Sequence, residues 1–292
     1  MLVRVHASTV TRGDTELRTN AFPLLRPFTG LRRPRRAIPG TEFSGVVEQL
    51  GPSVTELHVG QEVFGLKSGA NADYVVVRDG GLVAPKPVGL TLEEAAAVPD
   101  GSLLALTMLR PSEPLQGKSV LVHGAAGSIG TAAVQLLSHH FHADVTAVCD
   151  TKDVELVRSL GAGHVVDRLR EDFTKNGATY DLVFDAVGKH SFRRCRHSLK
   201  PGGVYVSAGS PGLGFVTLPL ASLGTRLVGS KRARLGLGRY GRDDLLLVKE
   251  LAENGKYRPV VDRTYPLGEV VEANRYVETG SKTGNVVLRL DG

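Results

Sequence analysis

The stretch SVLVHGAAGSIGTAAVQLL, residues 119–137, decides how the rest of the chain is read. Its first five residues favour a β-strand, and they run directly into Gly124, Gly127 and Gly130. A helix of small residues follows. Taken alone, G-x-x-G-x-x-G is a weak pattern. It gains weight from the strand before it, the helix after it and a second strand, DVTAVC, arriving soon afterwards. In such a turn one glycine lets the chain fold back tightly, another lets the backbone approach a pyrophosphate, and a third lets helix and strand pack closely. The helix N-terminus adds unpaired N–H groups and the positive end of the helix dipole. Gly124, Ala125, Ala126, Gly127, Ser128, Ile129 and Gly130 are therefore expected to bind a dinucleotide cofactor. The alternative is a tight βα turn that holds nothing.

Outward from this turn the strand–helix rhythm continues. KDVELVRSLGA reads as a helix ending at Gly161, HVVD and YDLVFDAVG as strands, HSFRRCRHSLKPGG as a helix stopped by Pro201, and VYVSAG and RLVGS as strands. Short apolar strands alternating with helices imply a parallel sheet covered on both faces. RDDLLLVKELAENGK then reads as an amphipathic helix and GNVVLRL as a closing strand. Before residue 90 the pattern differs. LVRVHAST, FSGVVEQLG, QEVFGL and ADYVVVRDG are short strands broken by Gly and Pro, as in a compact antiparallel unit. TLEEAAAVPDG reads as a helix with Thr91 as N-cap, interrupted by Pro99 and Gly101.

The chain has 292 residues, 41% of them hydrophobic and 23% charged, as in a soluble globular protein of two domains. It has no apolar run long enough to span a membrane, and MLVRVHASTVTRGD, without a sustained apolar core or a small-residue cleavage site, is not expected to be a signal peptide. The two cysteines, Cys149 and Cys195, form neither a disulfide framework nor a CxxC pair, so a reducing cytoplasm is expected. The formal net charge of +6 is concentrated in RPFTGLRRPRRAIPG, with Arg26, Arg32, Arg33, Arg35 and Arg36, and in SKRARLGLGRYGR. Both read as solvated basic loops. The alternatives are a nucleic-acid patch or a rim attracting an anionic cofactor. Aromatic residues that would stack bases are sparse, Phe28 by the first cluster and Tyr240 in the second, so nucleic acid is not the expected partner.

Asp150 ends the second strand of the α/β region, about 20 residues after Gly130, where an acid would bond an adenosine ribose diol and repel a 2′-phosphate. That favours NAD. Lys152 nearby would attract the phosphate of NADP instead. The alternative for Asp150 is an N-cap on the next helix. His139, His140 and His142 in SHHFH read as an exposed helix terminus rather than a metal site.

The segments VRVHASTVTRGD, IPGTEFSGVV, VGQEVFG, GAAGSIGTAAVQLL, LVRSLGAGHVVD, YDLVFDAVG, LKPGG and GNVVLRL, in this order, resemble the medium-chain dehydrogenase/reductase superfamily, and most of all its zinc-free quinone oxidoreductase-like branch. The resemblance covers nearly the whole chain. It implies an α/β fold: a GroES-like, β-rich substrate domain at 1–90, completed by 262–292, and a doubly wound Rossmann NAD(P)-binding domain at 91–261. Members usually carry a few tens of residues before the segment like LVRVHAS. Either the start is assigned too late here, or the substrate domain lacks its first strands and exposes a sheet edge.

Zinc-dependent members hold the metal with a Cys, a His and a further acid or Cys. Thr11 and Thr41 stand where that Cys and His would be, and threonine is a poor zinc ligand, so no zinc is expected. Without a Lewis acid, hydride transfer to an electron-poor quinone or α,β-unsaturated carbonyl is favoured over alcohol oxidation. The resemblance implies NADP(H), with NAD(H) the alternative through Asp150. It also places Thr11, Asp14 and Thr41 as catalytic candidates, and Val187, Gly188, Ser207, Gly209 and Asn285 as cofactor contacts. Arg168 stands where relatives often place an aromatic residue near the adenine. The superfamily's fifth-to-sixth strand region implies a homodimer. The competing reading is a nucleotide- or RNA-binding relative without turnover, and the third a zinc-free alcohol dehydrogenase.

Overall fold

A computed structural model describes residues 1–18, 38–52, 54–78, 80–208, 230–236 and 239–290. The chain forms two compact units, Met1–Asp100 with Tyr240–Gly292, and Gly101–Arg239. The junctions expected at 90/91 and 261/262 compare with 100/101 and 239/240 in the folded chain. The arginines of the first cluster, residues 226–229 of the segment RLVGS and Gly209 lie outside the described residues. Among the described residues no helix is long and apolar enough to cross a membrane.

The first unit opens with β1 (Leu2–Val10), α1 (Arg12–Arg18), β2 (Glu42–Gln49), β3 (Glu62–Leu66), β4 (Tyr74–Val76), β5 (Val83–Pro85) and α2 (Leu92–Ala96). Along β1 the burial alternates through Val3, Val5 and Ala7 and then becomes continuous through Ser8, Thr9 and Val10. The change has a local cause: Ala96 and Ala97, at the end of α2, pack with Ala7, so this half of the strand is covered on its second face too. Thr91 caps α2 in a reciprocal capping box with Glu94, as the T-x-x-E spacing predicts.

The helix expected to be interrupted by Pro99 and Gly101 ends at Ala96, and a second helix, α3 (Pro99–Leu109), starts at the proline. Proline suits a first helical position, where its missing N–H would have no partner in any case. A Cβ on Gly101 would lie 2.6 Å from Ser128 Oγ, so that glycine lets α3 press against the turn that follows β6 (Ser119–His123).

The rest of the second unit is α4 (Ser128–Gln135), β7 (Asp144–Cys149), α5 (Val154–Ser159), β8 (His164–Asp167), β9 (Tyr180–Asp185), α6 (Phe192–Cys195), β10 (Leu199–Ser207) and β11 (Arg232–Leu235). Its six described strands run parallel in the order β11-β10-β9-β6-β7-β8. This is the doubly wound Rossmann-type arrangement, with its topological switch between β6 and β9.

Two expectations are corrected in this unit. HSFRRCRHSLKPGG is helical only at α6 and the short 3-10 turn Arg196–Ser198, and LKPGG already belongs to β10. The pairing of β10 with β9 shifts between Leu199 and Val204, so Pro201, which has no N–H to donate, sits in a bulge. The second basic cluster is no solvated loop either. Arg232–Leu235 is a strand, and Arg234 donates to Pro111 O, Met108 O and Ser112 Oγ.

The chain then returns to the first unit with α7 (Arg242–Glu253), β12 (Val261–Pro266), α8 (Val270–Glu278) and β13 (Asn285–Arg289). Its sheet runs β12-β13-β1-β2-β3-β5, with β4 also paired to β1. A GroES-like sheet of mostly antiparallel pairs is thus completed by the C-terminal strand, as the resemblance implies.

Candidate functional site

All strands of the second unit's sheet point the same way, so the residues that follow them gather at one edge. Gly124–Gly130 follow β6, Asp150 and Lys152 follow β7, Arg168 follows β8, Val187 and Gly188 follow β9, and Ser207 ends β10. In an open α/β sheet, ligands bind outside the carboxyl ends of the strands, at the switch point. The glycine turn and the Val187–Gly188 loop flank that point.

The three glycines of the turn differ in what demands them. Gly124 has φ +74°, and a Cβ there would strike Val187 Cγ2 at 2.1 Å. A Cβ on Gly130 would lie 2.0 Å from Gly124 O. Packing within the unit accounts for both. Gly127 has ordinary dihedrals, φ −77° and ψ 173°, and a Cβ there would meet only Gly124 O at 3.6 Å, an ordinary contact. The fold itself would accept a Cβ at Gly127. A group lying on the turn would not, and the residues present therefore fit a pyrophosphate. Gly127 is also the N-cap of α4, so the N–H groups of Ser128, Ile129 and Gly130 have no carbonyl one turn back to bond.

Behind the turn lies a buried polar network that the sequence did not disclose. Asp185 is 0% exposed. Its Oδ1 accepts from His123 Nδ1 at 2.9 Å, Val187 N at 3.1 Å and Gly188 N at 2.9 Å. Its Oδ2 accepts from His190 N at 3.0 Å, and the single hydroxyl hydrogen of Tyr205 lies between Oδ2, at 3.0 Å, and His190 O, at 2.6 Å. Burial alone would raise the Asp185 pKa. The hydrogen bond and charge of His123, joined by the backbone amides, overcome it and hold the carboxyl below its usual range. Burial, and next to it His123, pushes the His190 imidazole down. Asp185 thereby fixes the two residues expected beside the cofactor, Val187 and Gly188. The signal in the sequence was an acid ending an apolar strand, YDLVFD, since a charge is buried there only with donors around it.

Beyond β7 and β8, Asp150 does not cap the following turn through its side chain. Its carboxylate faces Arg168, with Arg168 Nη2 at 2.8 Å from Oδ2 and Nε against Oδ1. Lys152 Nζ lies 3.6 Å from Asp153.

The candidates of the first unit are described within it. Thr11 and Asp14 form a capping box at the start of α1. Asp14 N donates to Thr11 Oγ1 at 3.1 Å, and Thr11 N and Oγ1 donate to Asp14 Oδ2 at 3.0 and 2.8 Å. Thr41 is half-buried before β2, and among the described residues none engages its hydroxyl. The Asn285 amide donates to Ala97 O and Val260 O.

The sequence reading also missed Glu42, which is 0% exposed. Its Oε2 contacts Thr9 Oγ1 at 2.5 Å, and its Oε1 accepts from Asp100 N at 2.7 Å. Burial, then the charge of Asp100, pushes its pKa up to about 8. Burial and Asp14 push Asp100 up to about 6, and burial pushes the Lys282 amine down to about 8. Among the described residues no group of three or more His, Cys, Asp and Glu is arranged to hold a metal ion.

Two family models match the chain. Residues 1–105 match the alcohol dehydrogenase GroES-like domain, and residues 160–288 match a domain described as zinc-binding dehydrogenase. The 2-methylene-furan-3-one reductase of Solanum lycopersicum is 32% identical over 99% of this chain and 71% of its own length. The chloroplastic NADPH-dependent alkenal/one oxidoreductase of Arabidopsis thaliana is 32% identical over the same shares. Among solved structures, the quinone oxidoreductase of Coxiella burnetii superposes with a TM-score of 0.87 at 26% identity, covering 100% of this chain and 90% of that one. The chain belongs to the medium-chain dehydrogenase/reductase superfamily, alongside quinone oxidoreductase-like and alkenal/one oxidoreductase-like members.

Proposed function

We propose that this chain is an NAD(P)H-dependent reductase that directs hydride to a quinone or to the β-carbon of an α,β-unsaturated carbonyl, without zinc. The observation that carries the reading is Gly127, a glycine that packing within its unit does not require, at the switch point of a doubly wound sheet. The relatives named for enone and quinone chemistry support the choice of acceptor.

When bound, a reduced nicotinamide supplies the hydride. The chain's own residues supply position and electrostatics. The N–H groups of Ser128, Ile129 and Gly130 would hold the pyrophosphate at the positive end of α4. Asp185 fixes the Val187–Gly188 loop by accepting both of its amides. Thr11 has given its hydroxyl hydrogen to Asp14, so Thr41 is the better candidate to donate to the oxyanion that forms on the acceptor. The donor set supports a zinc-free reaction: Thr11 and Thr41 offer hydroxyls where zinc-dependent relatives carry softer ligands, and one of those hydroxyls is already spent. A homodimer belongs to the same reading. Among the described residues β11 ends the sheet, which supports it, and light scattering checks it.

The deciding experiment is a titration with NADPH and NADH followed by nicotinamide fluorescence, then turnover of a quinone, an enone and a matched saturated ketone. Binding with turnover of the first two, unaffected by a chelator, is expected. Binding of neither dinucleotide would overturn the reading, and chelator-sensitive reduction of the saturated ketone would replace it with alcohol dehydrogenation.

A further inference from the structure

We propose that Asp150 and Arg168 form an exchangeable ion pair that lets this one site accept both NADH and NADPH; the proposal rests on the reading of the glycine turn as a dinucleotide site. An acid at the end of β7 would by itself select a ribose diol and reject a 2′-phosphate. Here Arg168 Nη2 donates to Asp150 Oδ2 at 2.8 Å, and Nε lies in ion-pair contact with Oδ1, which accepts no hydrogen bond among the described residues. An ionised carboxylate only accepts hydrogen bonds, and this one is neutralised by its partner.

Arg168 keeps three of its five N–H groups outside this fork, enough to take an incoming phosphate. Both side chains reach solvent in part, with Asp150 30% and Arg168 52% exposed, so water takes over part of the pair's attraction when it opens.

The two loops that carry the pair are tied together. Arg168 N donates to Cys149 O at 2.9 Å, and Thr151 Oγ1 donates to Asp167 Oδ2 at 2.6 Å. Three ion pairs lie on them, Asp150 with Arg168, Asp153 with Lys152 and Asp167 with Arg170. Replacing Arg168 by a neutral residue leaves one net negative charge and a free diol acceptor. Replacing Asp150 leaves one net positive charge and a free phosphate donor. A diol cofactor therefore takes Asp150 from the pair, and a 2′-phosphate takes Arg168.

The test measures dissociation constants for NADH and NADPH by nicotinamide fluorescence, at fixed low salt, for the wild type, Arg168→Leu and Asp150→Asn. The pair is half-exposed, so both variants are expected to keep the wild-type circular dichroism spectrum and melting temperature. The wild-type affinities for the two cofactors should lie within about tenfold of each other. Arg168→Leu should shift their ratio toward NADH by about tenfold or more, and Asp150→Asn toward NADPH by a similar factor, as loss of a charge-assisted fork implies. Arg168→Lys, which keeps the charge without the fork, should fall between. A wild type that binds a dinucleotide, with ratios within twofold across all variants, overturns the exchangeable pair and leaves the dinucleotide site standing. A wild type that binds neither overturns the site itself.

Discussion

Gly127 separates what the fold needs from what a ligand needs. A Cβ there meets no atom of its own unit closer than ordinary contact, since it lies 3.6 Å from Gly124 O and the backbone is in a region any residue adopts. Gly127→Val should therefore melt within about 3 °C of the wild type, a change of less than ~1 kcal/mol. Its affinity for NADPH and NADH should fall at least about a hundredfold, roughly 2.8 kcal/mol. Fluorescence titration beside a thermal melt checks both halves, and undiminished affinity in the folded variant would remove the dinucleotide from this turn. The glycine spacing was legible because strand, turn and helix follow one another in the sequence. Arg168 was legible as a position but not as a partner, since its fork with Asp150 joins residues brought together only by the pairing of β7 with β8.

At the scale of the element, the loop after β9 is only as fixed as Asp185 makes it. The strand itself was plain in YDLVFDAVG, whose apolar run suits a position buried on both faces. The role of its last residue was not, because the donors come from β6, from β10 and from the loop's own backbone. Asp185→Asn keeps the shape but turns one acceptor edge into N–H donors facing other donors. Breaking such a buried, charge-assisted network costs about 2–4 kcal/mol. Because Val187 packs against Gly124, cofactor affinity should fall with stability. The sign of the pH effect follows from the lowered folded pKa. Asp185 contributes its stability above the ordinary carboxylate value of 3.8, and that contribution is lost as pH falls through the lower folded value. Denaturant melts at neutral and acid pH should show the two proteins converging at low pH, and a difference that stays constant down to acid would count against an ionised Asp185. HSFRRCRHSLKPGG shows the opposite limit: local signals favoured a helix, and pairing with β9 took Leu199 onward into the sheet.

Across the whole molecule, the first unit is assembled from distant parts of the chain, and three interacting titratable groups come from three of those parts. Glu42 comes from β2, Asp100 from the start of α3 and Lys282 from the turn before β13. No reading of one segment could have paired them, although the order of the strands themselves was open to a resemblance spanning the chain. The grouping makes a prediction about stability. In the unfolded chain Glu42 ionises above its ordinary value of 4.5, while in the folded unit it keeps its proton to about 8. The folded state therefore binds more protons across that window, and stability falls as pH rises through it, by up to about 1.4 kcal/mol per pH unit for this group. Glu42→Gln is neutral, as the protonated carboxyl is, and its Oε1 accepts from Asp100 N in the same place. The variant should melt at the wild-type temperature near pH 4.5 and progressively above it as pH approaches 8, as read by calorimetry at matched ionic strength. A variant destabilised at every pH would mean that Glu42 is ionised in the fold, held there by Lys282.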